Sequence, residues 1–427
     1  MTDDAKRIGV FAALKATPST ARFLLGGVFV NQMGAFVQTF LVLYLVHNDW
    51  SMKRAGICLG AYSLGALIGG LIGGELTQRL GPRNTIVIAM TCSALLVASL
   101  PFLKDPSNFA YVAVLIGAAG AATAAYRPGA SALLNAVMPA ELRVMAFSMM
   151  RTALNLGAVI GPFAAAALTL ANWDLLYWVD GATALSYALL SLVFLPGKAG
   201  KRTDGAPGAA AEAPVEAPVE KVGYLAMLRD TKFVLYLASM TLSAMFYMQF
   251  MAVLPLKVQA DGNPTALYSS ALALSSGLLI ALELKITSYV SEWKAPVAAG
   301  AGTFVMALGL TAYAISGSPV VILLGTAVFV SGMMVSGPTL WAHPAGKPEN
   351  VKGRAIGSSQ AAFSLGSATG TTLGVLAWGA FGNGVWLLCG AAGALAALFA
   401  AYGLSEARDK NPKKDVDEVA EAEAAAV

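Results

Sequence analysis

Apolar runs of membrane-crossing length recur along the whole chain, separated by short polar or Pro/Gly breaks. Twelve of them lie near 23–46, 55–76, 85–103, 109–137, 144–169, 175–195, 232–256, 268–290, 296–316, 319–341, 355–380 and 385–404. Runs of about twenty apolar residues match one helical passage through a bilayer core. They are too long for barrel strands and show no alternation of apolar and polar positions. The run from Phe23 to Val46 exceeds a signal-peptide core and no small-residue cleavage site follows it, so it predicts a first spanning helix. The pattern predicts an all-α integral membrane protein of twelve transmembrane helices in two six-helix bundles, 23–195 and 232–404. A tail, 1–22, precedes them, a linker, 196–231, joins them, and a second tail, 405–427, follows. The linker repeats Glu-Ala-Pro-Val amid Ala, Gly and Pro, with no apolar face to bury, and predicts disorder until a short surface helix over Tyr224–Arg229.

Composition agrees with this pattern. Hydrophobic residues make up 57% of 427, with 44 glycines besides, and only 12% are charged, about half the usual share. That excludes a nucleic-acid binder, a disordered protein and a disulfide scaffold. Of the 52 charged residues, 28 lie in 1–22, 196–232 and 405–427. With the N-terminus inside, 21 Lys/Arg fall on the cytoplasmic side and four (Lys53, Arg54, Lys104, Lys257) outside; the bias predicts cytoplasmic termini and linker. Cys58, Cys92 and Cys389 sit singly in apolar runs, as packing residues. His47 and His343 have no metal-site companions and are expected at the surface. No phosphate-binding Gly-Lys loop and no nucleophile with a base and orienting acid occurs, so neither ATP drive, catalysis, a cofactor nor a metal is expected.

The halves read as copies. At an offset of 209, Ala146, Ala153, Leu156, Gly157 and Gly161 fall on Ala355, Ala362, Leu365, Gly366 and Gly370. Small residues four apart let helices approach closely in lipid, and two like-oriented halves with an even number of spans each suit a transporter.

After the second span, Gly74-Glu75-Leu-Thr-Gln78-Arg79-Leu-Gly81-Pro-Arg83 resembles the loop motif of the major facilitator superfamily, within it the twelve-span drug/proton antiporters. Asn155-Leu-Gly157-Ala-Val-Ile-Gly161-Pro162 resembles the glycine-proline signature of that branch, and Tyr126-Arg127-Pro128 a run in some multidrug exporters. The resemblance covers residues 20 to 404. It implies the family's pseudo-symmetric fold, a gating loop in which Gly81 and Pro82 turn the chain so that Arg79 and Arg83 meet helix ends of the other half, and a helix bend at Gly157, Gly161 and Pro162 that seals the cavity. Two departures matter. Gln78 stands where the family has Asp, leaving Glu75 as a source of negative charge, and Ile116 stands where many antiporters have an arginine.

Ionisable residues inside spans cost about 2.5–3.5 kcal/mol on insertion scales, so each calls for a role. Glu283, deep in the eighth span, is either a proton carrier or the static partner of a cation on another helix. Lys285, two residues on, points away from it. Asp180 reads as a structural or interfacial acid rather than a carrier, and Arg127 is a further coupling candidate. Arg151, one turn before Asn155, is placed to bind an acid at the cytoplasmic mouth, and Arg151, Asn155 and Lys285 are further candidates to line the substrate cavity. Asn31 and Gln38 of the first span, with Ser243, Tyr247 and Gln249 of the seventh, either face substrate, as the resemblance implies for these helices, or bond between helices.

The resulting expectation is a monomeric, multi-pass transporter of a bacterial inner membrane that exports small amphipathic or cationic compounds against protons. A symporter or facilitator importing a sugar, peptide or organic acid is the alternative, and a non-transporting scaffold or sensor a remote one. Its expected partners are a small-molecule substrate, protons and lipid, with no nucleic acid.

Overall fold

The computed structural model describes residues 10–196 and 223–405, apart from Lys104. Most of the expected linker and tails lies outside that range. The described residues form helices and no strand. In chain order these are α1 (Val10–Ala16), α2 (Ser19–Met33), α3 (Val37–His47), α4 (Met52–Leu80), α5 (Pro82–Ser99), α6 (Phe109–Val137), α7 (Arg143–Ala171), α8 (Leu175–Phe194), α9 (Tyr224–Met227), α10 (Thr231–Ala252), α11 (Leu254–Ala260), α12 (Thr265–Val290), α13 (Ala295–Thr311), α14 (Pro319–Ala342), α15 (Glu349–Phe381) and α16 (Val385–Gly403). Among the described residues ten helical stretches are long and apolar enough to cross a membrane. The last of them, Glu349–Gly403, contains α15 and α16 around a turn at Gly382–Gly384.

Local chemistry accounts for several boundaries. Ser51, Asp230 and Ser318 accept backbone N–H bonds at the starts of α4, α10 and α14, satisfying amides that have no partner within the helix. Gly81 has φ 85°, which a side chain disfavours, and Pro82 follows at the first position of α5. The chain therefore reverses within one residue.

Two features depart from the hydrophobic pattern. The predicted first span is two helices, α2 and α3, with a break at Gly34–Phe36. α15 begins six residues before the predicted run, and its added turn carries Glu349, Lys352 and Arg354. Polar residues hide this turn from a hydropathy reading.

The interior is filled by aromatic and aliphatic clusters. Leu24, Val28, Met90, Tyr126 and Tyr187 pack among the helices before residue 196, and Phe246, Phe250, Phe329, Tyr313 and Trp386 among those after 223. Leu95, Val114, Leu170, Leu324 and Leu398 are exposed, as apolar side chains on a lipid-facing surface are. The repeat is visible in contacts: Gly157 of α7 lies against Gln32 of α2, and Gly366 of α15 against Thr241 of α10. These are the same pair of contacts 209 residues apart.

The face at which residue 196 leaves and residue 223 re-enters is called here the linker face. There α4 and α15 touch backbone to backbone: a Cβ at Gly74 would lie 2.7 Å from the Gly353 carbonyl oxygen, and one at Gly357 would lie 2.7 Å from that of Gly70. Gly56 stands on the same side of α4 as Gly74, 18 residues or about five turns earlier, and has nothing opposite within 4 Å. The helices before and after the linker thus meet at the linker face and part toward the far face.

Candidate functional site

Polar contacts between the two sets of helices cluster at the linker face. Arg354 of α15 donates from Nε and Nη2 to the Glu75 carboxylate at 2.7 and 2.9 Å, and Arg79 donates to the same group at 2.5 Å. Gln78 donates to the Glu349 carbonyl at 2.5 Å and accepts from the Gly353 amide at 3.0 Å. Asn135 of α6 donates to the Ala345 carbonyl at 2.7 Å. The loop motif therefore bridges the halves through Glu75 and Gln78 rather than through its arginines. Contrary to expectation, Arg79 stays on its own helix, 71% exposed, and Arg83 donates to the Ser191 and Leu192 carbonyls at the end of α8 in the same half. A helix C-terminus attracts cations for its unpaired carbonyls and dipole, and the last turn of α8 offers those carbonyls to Arg83.

About two turns deeper, Arg151 of α7 faces Glu283 of α12, Nε to Oε1 3.1 Å. Glu283 is fully buried, and among the described residues neither of its oxygens accepts a hydrogen bond. Arg151 donates from Nη1 to the Met333 carbonyl of α14 at 3.0 Å and lies hard against Gly337. One turn nearer the linker face, the hydroxyls of Ser148 and Thr287 pair at 2.6 Å. The residues read from sequence as a lone acid and an arginine in search of one are thus brought together across the halves. Lys285 is exposed on the side of α12 that carries Leu282 and Tyr289, away from that pair.

Asp180 is placed elsewhere. Its Oδ2 accepts from the Phe36 and Val37 amides at 2.9 and 3.1 Å, capping α3 where the first span breaks. A carboxylate at a helix N-terminus satisfies orphan amides and the local dipole together. A small cavity of about 70 Å³ adjoins this break, lined in part by Met33, Phe36, Gly161 and Pro162. α7 runs unbroken through Pro162, and Gly157 and Gly161 let α2 approach it closely.

Gln249 donates to the Gly370 carbonyl at 2.9 Å and so joins α10 to α15. The Ser243 hydroxyl is buried without a hydrogen-bond partner among the described residues, Asn31 is buried, and Asn155 and Tyr247 are half-buried. The Gln38 side chain lies outside the described residues. His343 corrects an expectation: its ring lies tilted against that of Tyr236, centroids 5.0 Å apart, and its Nε2 is buried without a hydrogen-bond partner among the described residues. His47 is exposed beside Trp173. Sequence reasoning passed over Arg354, Gly353 and Gly357; the signal available was the pair of four-residue glycine spacings, 70–74 and 353–357.

A helical membrane protein with paired halves closed at one face defines a transporter fold. The chain matches the Major Facilitator Superfamily over residues 24–371, and it belongs to that family of multi-pass membrane transporters for small molecules. It is 22% identical over 377 residues to the uncharacterized MFS-type transporter YqjV of Bacillus subtilis (strain 168), covering 86% of this chain and 88% of that protein. It is 26% identical over 332 residues to the multidrug resistance protein MdtH of Yersinia pestis (strain Pestoides F), covering 76% and 78%. The MFS transporter FucP, in its outward conformation, superposes with a TM-score of 0.71 at 15% identity, over 92% of this chain and all of FucP.

Proposed function

We propose that the protein is a proton-coupled secondary transporter that exports a small amphipathic compound by alternating access to the cleft between its halves. The observation that carries this reading is the Arg151–Glu283 pair. A buried carboxylate that accepts no hydrogen bond and spans the two halves is held chiefly by one opposite charge, and a proton on it would cancel that attraction. Loading Glu283 with a proton thus loosens the closed side, and releasing the proton re-forms it. Export rests on the likeness to MdtH over three quarters of the chain. The same reading sets a monomer in a bacterial inner membrane with the linker face in the cytoplasm.

Glu283→Gln keeps shape and removes the charge. In proteoliposomes it should abolish transport driven by a pH gradient, a loss of at least tenfold, while the purified protein still unfolds cooperatively. Undiminished pH-driven transport in the variant rejects the assignment. Symport of an organic acid is the second reading, favoured by the exposed Arg127 inside the fourth span; the direction of substrate-induced proton movement separates it from export.

A further inference from the structure

The charges inside the spans do not balance once their partners are assigned. Among the described residues Glu75 is taken by Arg354 and Arg79, Glu283 by Arg151, and Asp180 by the amides of α3. Lys285 lies on an exposed, apolar side of its helix, where a long side chain reaches the membrane surface. Arg127 is left, exposed and with no ion pair or hydrogen bond among the described residues. It is not turned to lipid. It stands roughly 140° around α6 from the exposed Val114 and roughly 80° from Asn135, which lies two turns nearer the linker face, where the halves touch. Ala125 meets Gly73 of α4, so Arg127 stands level with the seam that closes the linker face, and its exposed guanidinium faces the floor of the cleft above that seam.

Its surroundings suit a ligand rather than a structural role. Tyr62 of α4 lies within electrostatic reach of Arg127 and Asp180, and its hydroxyl engages Thr123, which in turn pairs with Ser93 at 2.8 Å. The tyrosine and hydroxyls beside Arg127 thus satisfy one another, and none of them neutralises it. Across the cleft Tyr247 lies in reach of Arg151 and of Tyr268. The floor therefore offers one uncompensated guanidinium, a fixed two-pronged donor for a planar oxyanion, between aromatic walls.

We propose that the cleft takes an organic monoanion, a carboxylate or sulfonate on an apolar or aromatic body, with Arg127 as its counter-ion. This narrows the amphipathic-or-cationic expectation, since the acids of the described spans are already engaged. It rests on the transporter reading but not on Glu283 as the coupling group.

The test uses the purified full-length chain and matched probes: benzoate and naphthalene-2-sulfonate against benzylammonium and benzyl alcohol, read by thermal shift and equilibrium binding. The anions should bind saturably to the wild type. Arg127→Gln should weaken them by about ten- to a hundredfold, and Arg127→Lys should recover part of the loss. Unliganded melting of both variants reports folding. Preferential binding of benzylammonium, absence of saturable anion binding, or equal binding by wild type and R127Q overturns the inference. Proton movement is followed in parallel in proteoliposomes. Anions that bind through Arg127 but move no protons reject the coupling reading and leave this one standing, whereas cation-driven proton movement does the reverse.

Discussion

Asp180 shows how one buried side chain sets local geometry. Its carboxylate receives two backbone N–H groups, from Phe36 and Val37, at the start of α3, in place of a cap that the local sequence Gly34-Ala-Phe36 does not supply. Removing it would leave both amides buried and unbonded. Asp180→Ala should therefore destabilise the protein by about 1–3 kcal/mol, seen as a lowered unfolding midpoint in detergent. Asp180→Asn keeps one acceptor oxygen and should lose less. Equal melting of D180A and wild type would show that α3 needs no cap from α8. Tyr224 acts in a similar way at the membrane surface. Burial pushes its hydroxyl up to about 12, so it stays protonated and donates to the Leu71 carbonyl at 2.8 Å.

At the scale of elements, the crossing of α4 and α15 is the tightest contact between the halves. A Cβ at Gly353 would meet the Gly74 carbonyl oxygen at 2.6 Å and the Gln78 amide at 2.8 Å, and neither is the movable end of a side chain. Gly353→Val should force the helices apart and shift the population toward opening at the linker face. The expected readout is a severalfold rise in labelling of a cysteine placed at position 71 by a reagent confined to that face. Unchanged labelling would mean that the seam is not what holds the face closed. Much of this architecture was legible beforehand. The run 109–137 coincides with α6, and 175–195 and 385–404 each fall within one residue of α8 and α16, since membrane helices must satisfy their backbone internally and be apolar outside. The break between α2 and α3 was not legible, because the residue that stabilises it lies 143 to 144 positions away on α8. The start of α15 was missed because its polar turn faces α4 rather than lipid. At the site, Glu283 and Arg151 could each be picked out by the cost of burying charge, but their pairing depends on how α7 and α12 are brought together, which no local spacing encodes.

For the whole molecule, the described contacts between halves lie on one side, so a state open at the linker face must give up the Glu75–Arg354 and Arg151–Glu283 pairs together with the Gln78 bonds. Glu75→Gln leaves Arg354 without its carboxylate. It should raise amide hydrogen exchange across residues 349–357 severalfold relative to the wild type, and the double variant Glu75→Gln, Arg354→Gln should exchange no faster than the single one, because both changes remove the same contact. Additive acceleration would show that the two residues act on separate contacts. The glycine seam beside this latch has a different physical character. Where backbone rests on backbone there are no rotamers to immobilise and no charges to screen. The carboxylate–guanidinium latch, by contrast, is partly exposed and weakens as ions crowd around it. Ionic strength therefore acts on one of two adjacent fastenings and spares the other, so that in concentrated salt the closed face leans on the glycine seam and on the contacts buried behind it.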